Sequence, residues 1–122
     1  MGHSIVYFEI PADDLQRARS FYGQLFGWQF EEMPGMDDYL TFRTGTEEGS
    51  LGGGLWKRQN AQQGITNYIG VDDVEQYVAK IKELGGAVVV PKQPVPGMGW
   101  FAWCSDPEGN TFAVWENDEA AA

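Results

Sequence analysis

Leu15, Ala18, Phe21, Tyr22, Leu25 and Phe26 recur at helical spacing, and Val74, Tyr77, Val78, Ile81 and Leu84 do the same farther along the chain. Each run predicts a helix with one apolar stripe, and such a stripe needs a sheet beneath it. Asp13 with Gln16, and Asp72 with Glu75, have capping-box spacing, while Gly27 and Gly85-Gly86 are placed to end the helices in a left-handed conformation. Before the first helix the period changes from 3.6 to two. Residues 3–10 alternate and predict a strand ended by Pro11, with Val6, Phe8 and Ile10 under the helix and Ile5, Tyr7 and Glu9 on the opposite face.

The same order then repeats. The stretch from Ile10 to Trp28 returns in degenerate form 59 residues later, so that Ile10 meets Ile69, Asp13 meets Asp72, Asp14 meets Asp73, Leu25 meets Leu84 and Gly27 meets Gly86. Further strands are predicted over residues 28–33, 39–44 and 50–58 in the first copy, and over 65–71, 87–90, 99–105 and 111–116 in the second. The pattern is two tandem βαβββ modules, about 3–59 and 65–116, within a single domain. Its fold class is α+β, a curved mixed sheet with a central cup and the helices on its outer face. Pro91 to Gly99 is too rich in Pro and Gly for regular structure and is expected to be a mobile loop; residues 117–122 are expected to fray.

Composition narrows the function. The 122 residues are 43% hydrophobic, enough for one core, and the single Cys104 cannot form an internal disulfide, which points to a reducing cytoplasm. No apolar run approaches the length of a membrane span and no signal-peptide pattern is present. Eighteen acidic against eight basic residues give a charge of −10, which argues against nucleic acid as a partner.

Several motifs are recognisable together: Tyr7-Phe-Glu-Ile-Pro-Ala-Asp-Asp-Leu15, Ser20-Phe-Tyr22, Leu25-Phe-Gly-Trp28, Leu84-Gly-Gly86 and Asp106-Pro-Glu-Gly-Asn110. With them the chain, from residue 3 to about 116, resembles the vicinal oxygen chelate superfamily of glyoxalase-type lyases, extradiol dioxygenases and bleomycin-resistance proteins. The resemblance implies a cup built by two modules, from one chain or exchanged across a homodimer. In metal-dependent members it implies four ligands on the first and last strands of the modules. Those places fall on Tyr7, Thr66, Ala113 and on or beside Gly53. None supplies the imidazole or carboxylate that a divalent metal wants, so neither a metal nor another cofactor is expected.

His3 is the only histidine, and one imidazole makes neither a metal site nor a triad. Cys104 reads as a small buried residue, and Gly52-Gly-Gly54 as a site of close backbone approach, since no helix follows it. Glu9 shares the face of Tyr7 and would be an acid or base, or a counter-charge, inside an apolar cup. Aromatic density suggests a cup lined by Tyr7, Tyr68, Trp115 and one of the pair Phe101 and Trp103, whose strand is apolar on both faces. The ligand-binding set is therefore Tyr7, Glu9, Gly53, Leu55, Thr66, Tyr68, Phe101, Trp103, Ala113 and Trp115. The expected function is metal-independent binding of a small organic molecule, aromatic or cationic. The alternative is a metal-free lyase, isomerase or hydroxylase-like enzyme with Glu9 and Tyr7 as its acid-base pair; an interaction protein is the third class.

Overall fold

The computed structural model describes residues 3–122, which form two compact units: Tyr7–Ile65, and Thr66–Ala122 together with the N-terminal residues up to Val6. The chain is α+β and follows the repeated order. The first module runs β1 (Ile5–Ala12), α1 (Leu15–Phe26), β2 (Phe30–Glu32), β3 (Tyr39–Arg43) and β4 (Gly52–Lys57). The second runs β5 (Thr66–Gly70), α2 (Val74–Glu83), β6 (Ala87–Val95), β7 (Gly99–Ser105) and β8 (Thr111–Asn117).

The repeat holds down to hydrogen-bond register. In the first module the strand order is β2-β3-β4-β1, with the last strand antiparallel to β3 and parallel to β1. The second has β6-β7-β8-β5 with the same directions. Glu9 lies opposite Gly54 and Tyr68 lies opposite Ala113, and each member of the second pair stands 59 positions after its counterpart in the first. One strand-pairing scheme is therefore used twice.

Each helix covers one face of its own sheet. Leu15, Ala18 and Tyr22 of α1 pack, with Phe8 and Ile10, on a buried cluster of Ala12, Phe30, Leu40, Phe42 and Leu55. Trp28 lies outside β2 and stacks between Tyr22 and Phe42, at centroid distances of 5.4 and 5.0 Å, which explains why β2 begins two residues later than the pattern predicts. In the second module Val74, Ala102, Cys104 and Val114 form the buried cluster, with Val78, Ile81 and Phe112 against it.

The local signals fall one residue from where spacing alone puts them. Asp14 and Asp73, rather than Asp13 and Asp72, cap the helices, accepting from the Arg17 and Gln76 backbone N–H groups at 3.0 and 3.2 Å. Asp13 instead pairs with Arg58 at 2.9 Å. The glycine stops are where expected: Gly27 has φ +76°, and at the end of α2 Gly85 has φ +96° while the Gly86 N–H reaches the Ile81 carbonyl at 2.9 Å.

Three expectations are corrected. Pro11 does not end β1 but lies within it, opposite Trp56; the Ala12 carbonyl accepts from the N–H of Arg58, the residue just past β4, so the neighbouring Pro11 directs its missing donor away from β4. The Pro-rich segment is not a loop up to Gly99: β6 continues through Pro91 and Pro94 to Val95, at the end of its module's sheet, with irregular register between Val88 and Gln93. The tail is docked rather than frayed. Asp118 N–H donates to Met98 O and Gly97 N–H to Ala121 O, both at 2.9 Å, and Ala121 is buried. Among the described residues no helix is long and apolar enough to cross a membrane.

The Trp100 indole N–H donates to the Asp118 carboxylate at 2.9 Å, and this bond holds the carboxyl below its ordinary value. The contribution to docking is therefore present above the ordinary carboxylate range and is lost as pH falls through the lowered value. Asp118→Ala is expected to speed hydrogen exchange at the Gly97 amide and to remove the acid-dependent part of that exchange. Unchanged exchange would show that the tail is held without this bond.

Candidate functional site

Alternation along β1, β3 and β4 gives the first module a face turned away from α1. Phe8, Ile10, Leu40, Phe42 and Leu55 belong to the helix side, so Tyr7, Glu9, Tyr39, Thr41, Gly54 and Trp56 fall on the other. Glu9 is 7% exposed and Tyr39 6%. A carboxylate this deep needs a hydrogen-bonding partner, and the Tyr39 hydroxyl donates to Glu9 Oε2 at 2.6 Å. The Tyr7 hydroxyl stands 2.6 Å from that of Tyr39, which makes a continuous row of carboxylate, phenol and phenol.

Gly54 makes room for this row. It pairs with Glu9 on one side and Thr41 on the other, and a Cβ there would fall against the Tyr39 hydroxyl, 2.5 Å from its Cζ and 2.8 Å from the Tyr7 oxygen. Tyr39 itself follows a tight turn in which Asp38 has φ +58° and its carbonyl accepts from the Lys57 N–H at 3.0 Å. An Asp tolerates that left-handed conformation better than most residues, and it delivers Tyr39 to the start of β3.

The electrostatics follow from burial. Loss of solvent pushes the Tyr7 phenol up to about 12, with the Tyr39 hydrogen bond opposing the rise and the Glu9 charge adding to it. Tyr39 is raised further, first by burial and then by the Glu9 charge. Both phenols are therefore neutral at ordinary pH, and they are donors or acceptors rather than bases in their own right.

In the second module Thr66, Tyr68, Phe101, Trp103, Ala113 and Trp115 share the face away from α2. Phe101 and Trp103 are not alternatives: two residues apart on one strand, they point the same way, and Trp100, Ala102 and Cys104 take the helix side. The Trp103 indole N–H donates to the Tyr68 hydroxyl at 2.9 Å, and the Phe101 ring lies 6.4 Å from that of Tyr68 and 6.3 Å from that of Trp103. Trp115 lies across Gly99, where a Cβ would come within 2.6 Å of the indole.

Two candidates are misplaced by the sequence pattern. Leu55 is fully buried in the helix-side core, and Gly53 is opposed there by the Phe8 and Phe42 rings, at 3.0 and 3.1 Å from a Cβ. Neither shares the face of Glu9. Register identifies Gly54 as the counterpart of Ala113. His3 is exposed and bonds through Nε2 to the Tyr77 hydroxyl at 2.8 Å, while burial pushes the Cys104 thiol up and leaves it a protonated core residue.

Tyr39 is the member of this hydrogen-bonded row that the sequence did not single out. Its alternation with Leu40 and Phe42 marks its face, but only pairing with β4 places it over a glycine. A divalent metal does not fit the side chains at the family's ligand positions: Tyr7, Thr66 and Ala113 offer a phenol, an alcohol and a methyl, and the space at Gly54 is filled by Tyr39. Among the described residues no three His, Cys, Asp or Glu side chains gather to hold an ion.

Comparison with known proteins agrees with the module order. A family model described as Bleomycin resistance protein-like N-terminal matches residues 4–45. A glyoxylase-like domain-containing protein of Didymella fabae is 31% identical over 112 residues, covering 87% of this chain and 88% of that protein. A protein of Mycobacterium bovis that bears a glyoxylase name is 26% identical over 115 residues, and the match spans 90% of this chain but only 44% of that longer relative. Among solved structures, a Streptomyces coelicolor methylmalonyl-CoA epimerase superposes with a TM-score of 0.70 at 16% identity, covering 94% and 97% of the two chains.

Two outcomes test the geometry. Gly54→Ala is expected to cost about 1–3 kcal/mol in urea unfolding, because Tyr39 cannot retreat without losing Glu9. Tyr7 has its folded value raised from 10.0 to about 12, so its contribution to stability is fully present below pH 10 and is lost as pH rises through about 12. Unfolding midpoints measured across that range should fall less steeply in Tyr7→Phe, and an equal slope would place the alkaline transition elsewhere.

Proposed function

Because the chain belongs to the vicinal oxygen chelate superfamily, in its glyoxalase and bleomycin-resistance group, we propose that it binds a small organic molecule without a metal. The observation that supports this most directly is the row Glu9, Tyr39, Tyr7: a buried carboxylate that accepts from the Tyr39 phenol at 2.6 Å, with the Tyr7 phenol 2.6 Å from that of Tyr39 on the same sheet face. Such a row offers one negative charge and an oriented acceptor to a ligand, and Trp56 on the same face offers a ring for an aromatic or cationic group. In the second module Tyr68, Phe101, Trp103 and Trp115 provide an aromatic surface of similar kind. The likeness to the epimerase concerns the fold alone, and its substrate is not carried over.

The same row favours a second reading, a metal-free enzyme in which Glu9 and Tyr7 act as an acid-base pair, since a carboxylate relayed through phenols can take up a proton. Turnover of any bound compound separates the two. A homodimer in the cytoplasm belongs to the proposal as well. It is supported by the exposure of Phe21, Leu25 and Phe26 along α1, at 58, 56 and 58%, and by the lone Cys104. Sedimentation that finds only monomer across the micromolar range would remove the dimer.

The binding reading is tested by screening cationic and neutral aromatic compounds through Trp fluorescence. A cation favours the ionised carboxylate, so its affinity should fall as pH is lowered through the Glu9 titration, and a neutral compound should show little of this. Glu9→Gln should weaken the cation about 10- to 100-fold, the scale of a charge-assisted hydrogen bond, and flatten its pH profile. Equal binding by Glu9→Gln would sink the assignment of Glu9.

A further inference from the structure

We propose that Glu9, Tyr39 and Tyr7 form a proton wire whose direction is set by the protonation of Glu9, with Tyr39 as the positioning residue that relays it. The proposal deepens the reading above, since it assigns the hydrogen-bonding class of ligand that Tyr7 accepts, but the wire itself exists without a ligand.

A phenol carries one O–H hydrogen and accepts through its lone pairs, whereas an ionised carboxylate only accepts. The Tyr39 hydrogen is committed to Glu9 Oε2, so in the 2.6 Å contact between the two phenols Tyr39 accepts and Tyr7 donates. The Tyr7 hydrogen is thereby used inward. Toward every other group that it meets, its oxygen can only accept.

Protonation of Glu9 reverses each bond in turn. The carboxyl hydrogen goes to the Tyr39 oxygen, the Tyr39 hydrogen turns to the Tyr7 oxygen, and the Tyr7 hydrogen turns outward. The same end state is reached from the outside. A proton arriving at the Tyr7 oxygen displaces that residue's own proton to Tyr39, whose proton passes to Glu9; three O–H bonds form and two break as one proton is taken up, the negative charge on Glu9 is neutralised, and both phenols end neutral. Burial keeps both phenols from ionising, so when Glu9 is ionised the charge of the row is on its carboxylate and on neither phenol. Tyr39, almost wholly buried and lodged over Gly54, is held between the two ends and acts through them.

Two ligand classes follow. With Glu9 ionised, Tyr7 suits groups that bring an N–H or O–H, such as ammonium ions and alcohols; with Glu9 protonated, it suits carbonyl and ether oxygens. Tyr7 on β1 and Tyr39 on β3 are titratable groups of the first module that face Glu9, while β4 presents Gly54 and Trp56, which do not titrate.

The test is a ligand-free NMR titration of the whole chain labelled with 13C at tyrosine Cζ and glutamate Cδ, with Tyr7→Phe and Tyr39→Phe assigning the two phenols. In the wild-type protein the Cζ signals of Tyr7 and Tyr39 should both move at the inflection of the Glu9 carboxyl carbon, and Glu9→Gln should remove that movement from both. In Tyr39→Phe the Glu9 carbon should still titrate while Tyr7 no longer follows it. A Tyr7 signal that ignores Glu9 in the wild type, or still follows it in Tyr39→Phe, overturns the wire. Tyr7 and Tyr39 are also assigned in the wild-type protein through bonds from their own backbone amides, so the first comparison stands even where a variant does not fold. No ligand is present, so failure of the wire and failure of the binding proposal are separate results.

Discussion

In each module the first strand pairs in parallel with the fourth, and the site described above depends on the register of that pairing. It sets Glu9 beside Gly54 and Tyr68 beside Ala113. At the first of these places the missing side chain is replaced by the ring of Tyr39, which crosses from β3 to reach the carboxylate. A shift of one residue would bring Gly53 or Leu55 opposite Glu9 and turn the apolar set of β4 to the wrong face. The register is itself held by the core: Leu55, wholly buried, lies between Ile10 and Leu40 on the helix side.

A buried carboxylate is the expensive item in this arrangement. Removing it from water costs several kcal/mol unless its oxygens are matched by donors, as in a charge-assisted bond at 2.6 Å. The Tyr39 phenol supplies such a donor without bringing a positive charge. The consequence is reciprocal, because the carboxylate and the lack of solvent raise both phenols and keep them neutral. The second module handles the equivalent face differently. Tyr68 stands where the first module has Glu9, Ala113 where it has Gly54, and an indole donor from Trp103 takes the Tyr68 hydroxyl. One backbone plan thus carries an ionic row in one copy and a neutral aromatic face in the other.

Much of the fold was legible in the sequence. The apolar stripes, the 59-residue offset and the glycine stops are local or periodic signals, and they determine helices, module order and the resemblance to the vicinal oxygen chelate superfamily without reference to long-range pairing. They also placed Tyr7 and Glu9 on one face, since side-chain alternation is a property of a single strand. The tertiary structure decided what depends on two strands at once. Pro91 and Pro94 read as loop residues until β6 is seen at the end of its sheet, where Pro does least harm, and the tail reads as frayed until the Trp100 indole is seen on Asp118. Likewise Gly53, Leu55 and the shared face of Phe101 and Trp103 needed a core to say which side faces the helix. Tyr39 could not be found at all from its own surroundings, because its role arises from a glycine fifteen residues away in sequence and an aspartyl turn that aims it there. Periodicity reports on one element at a time, whereas a site is made where register brings several together.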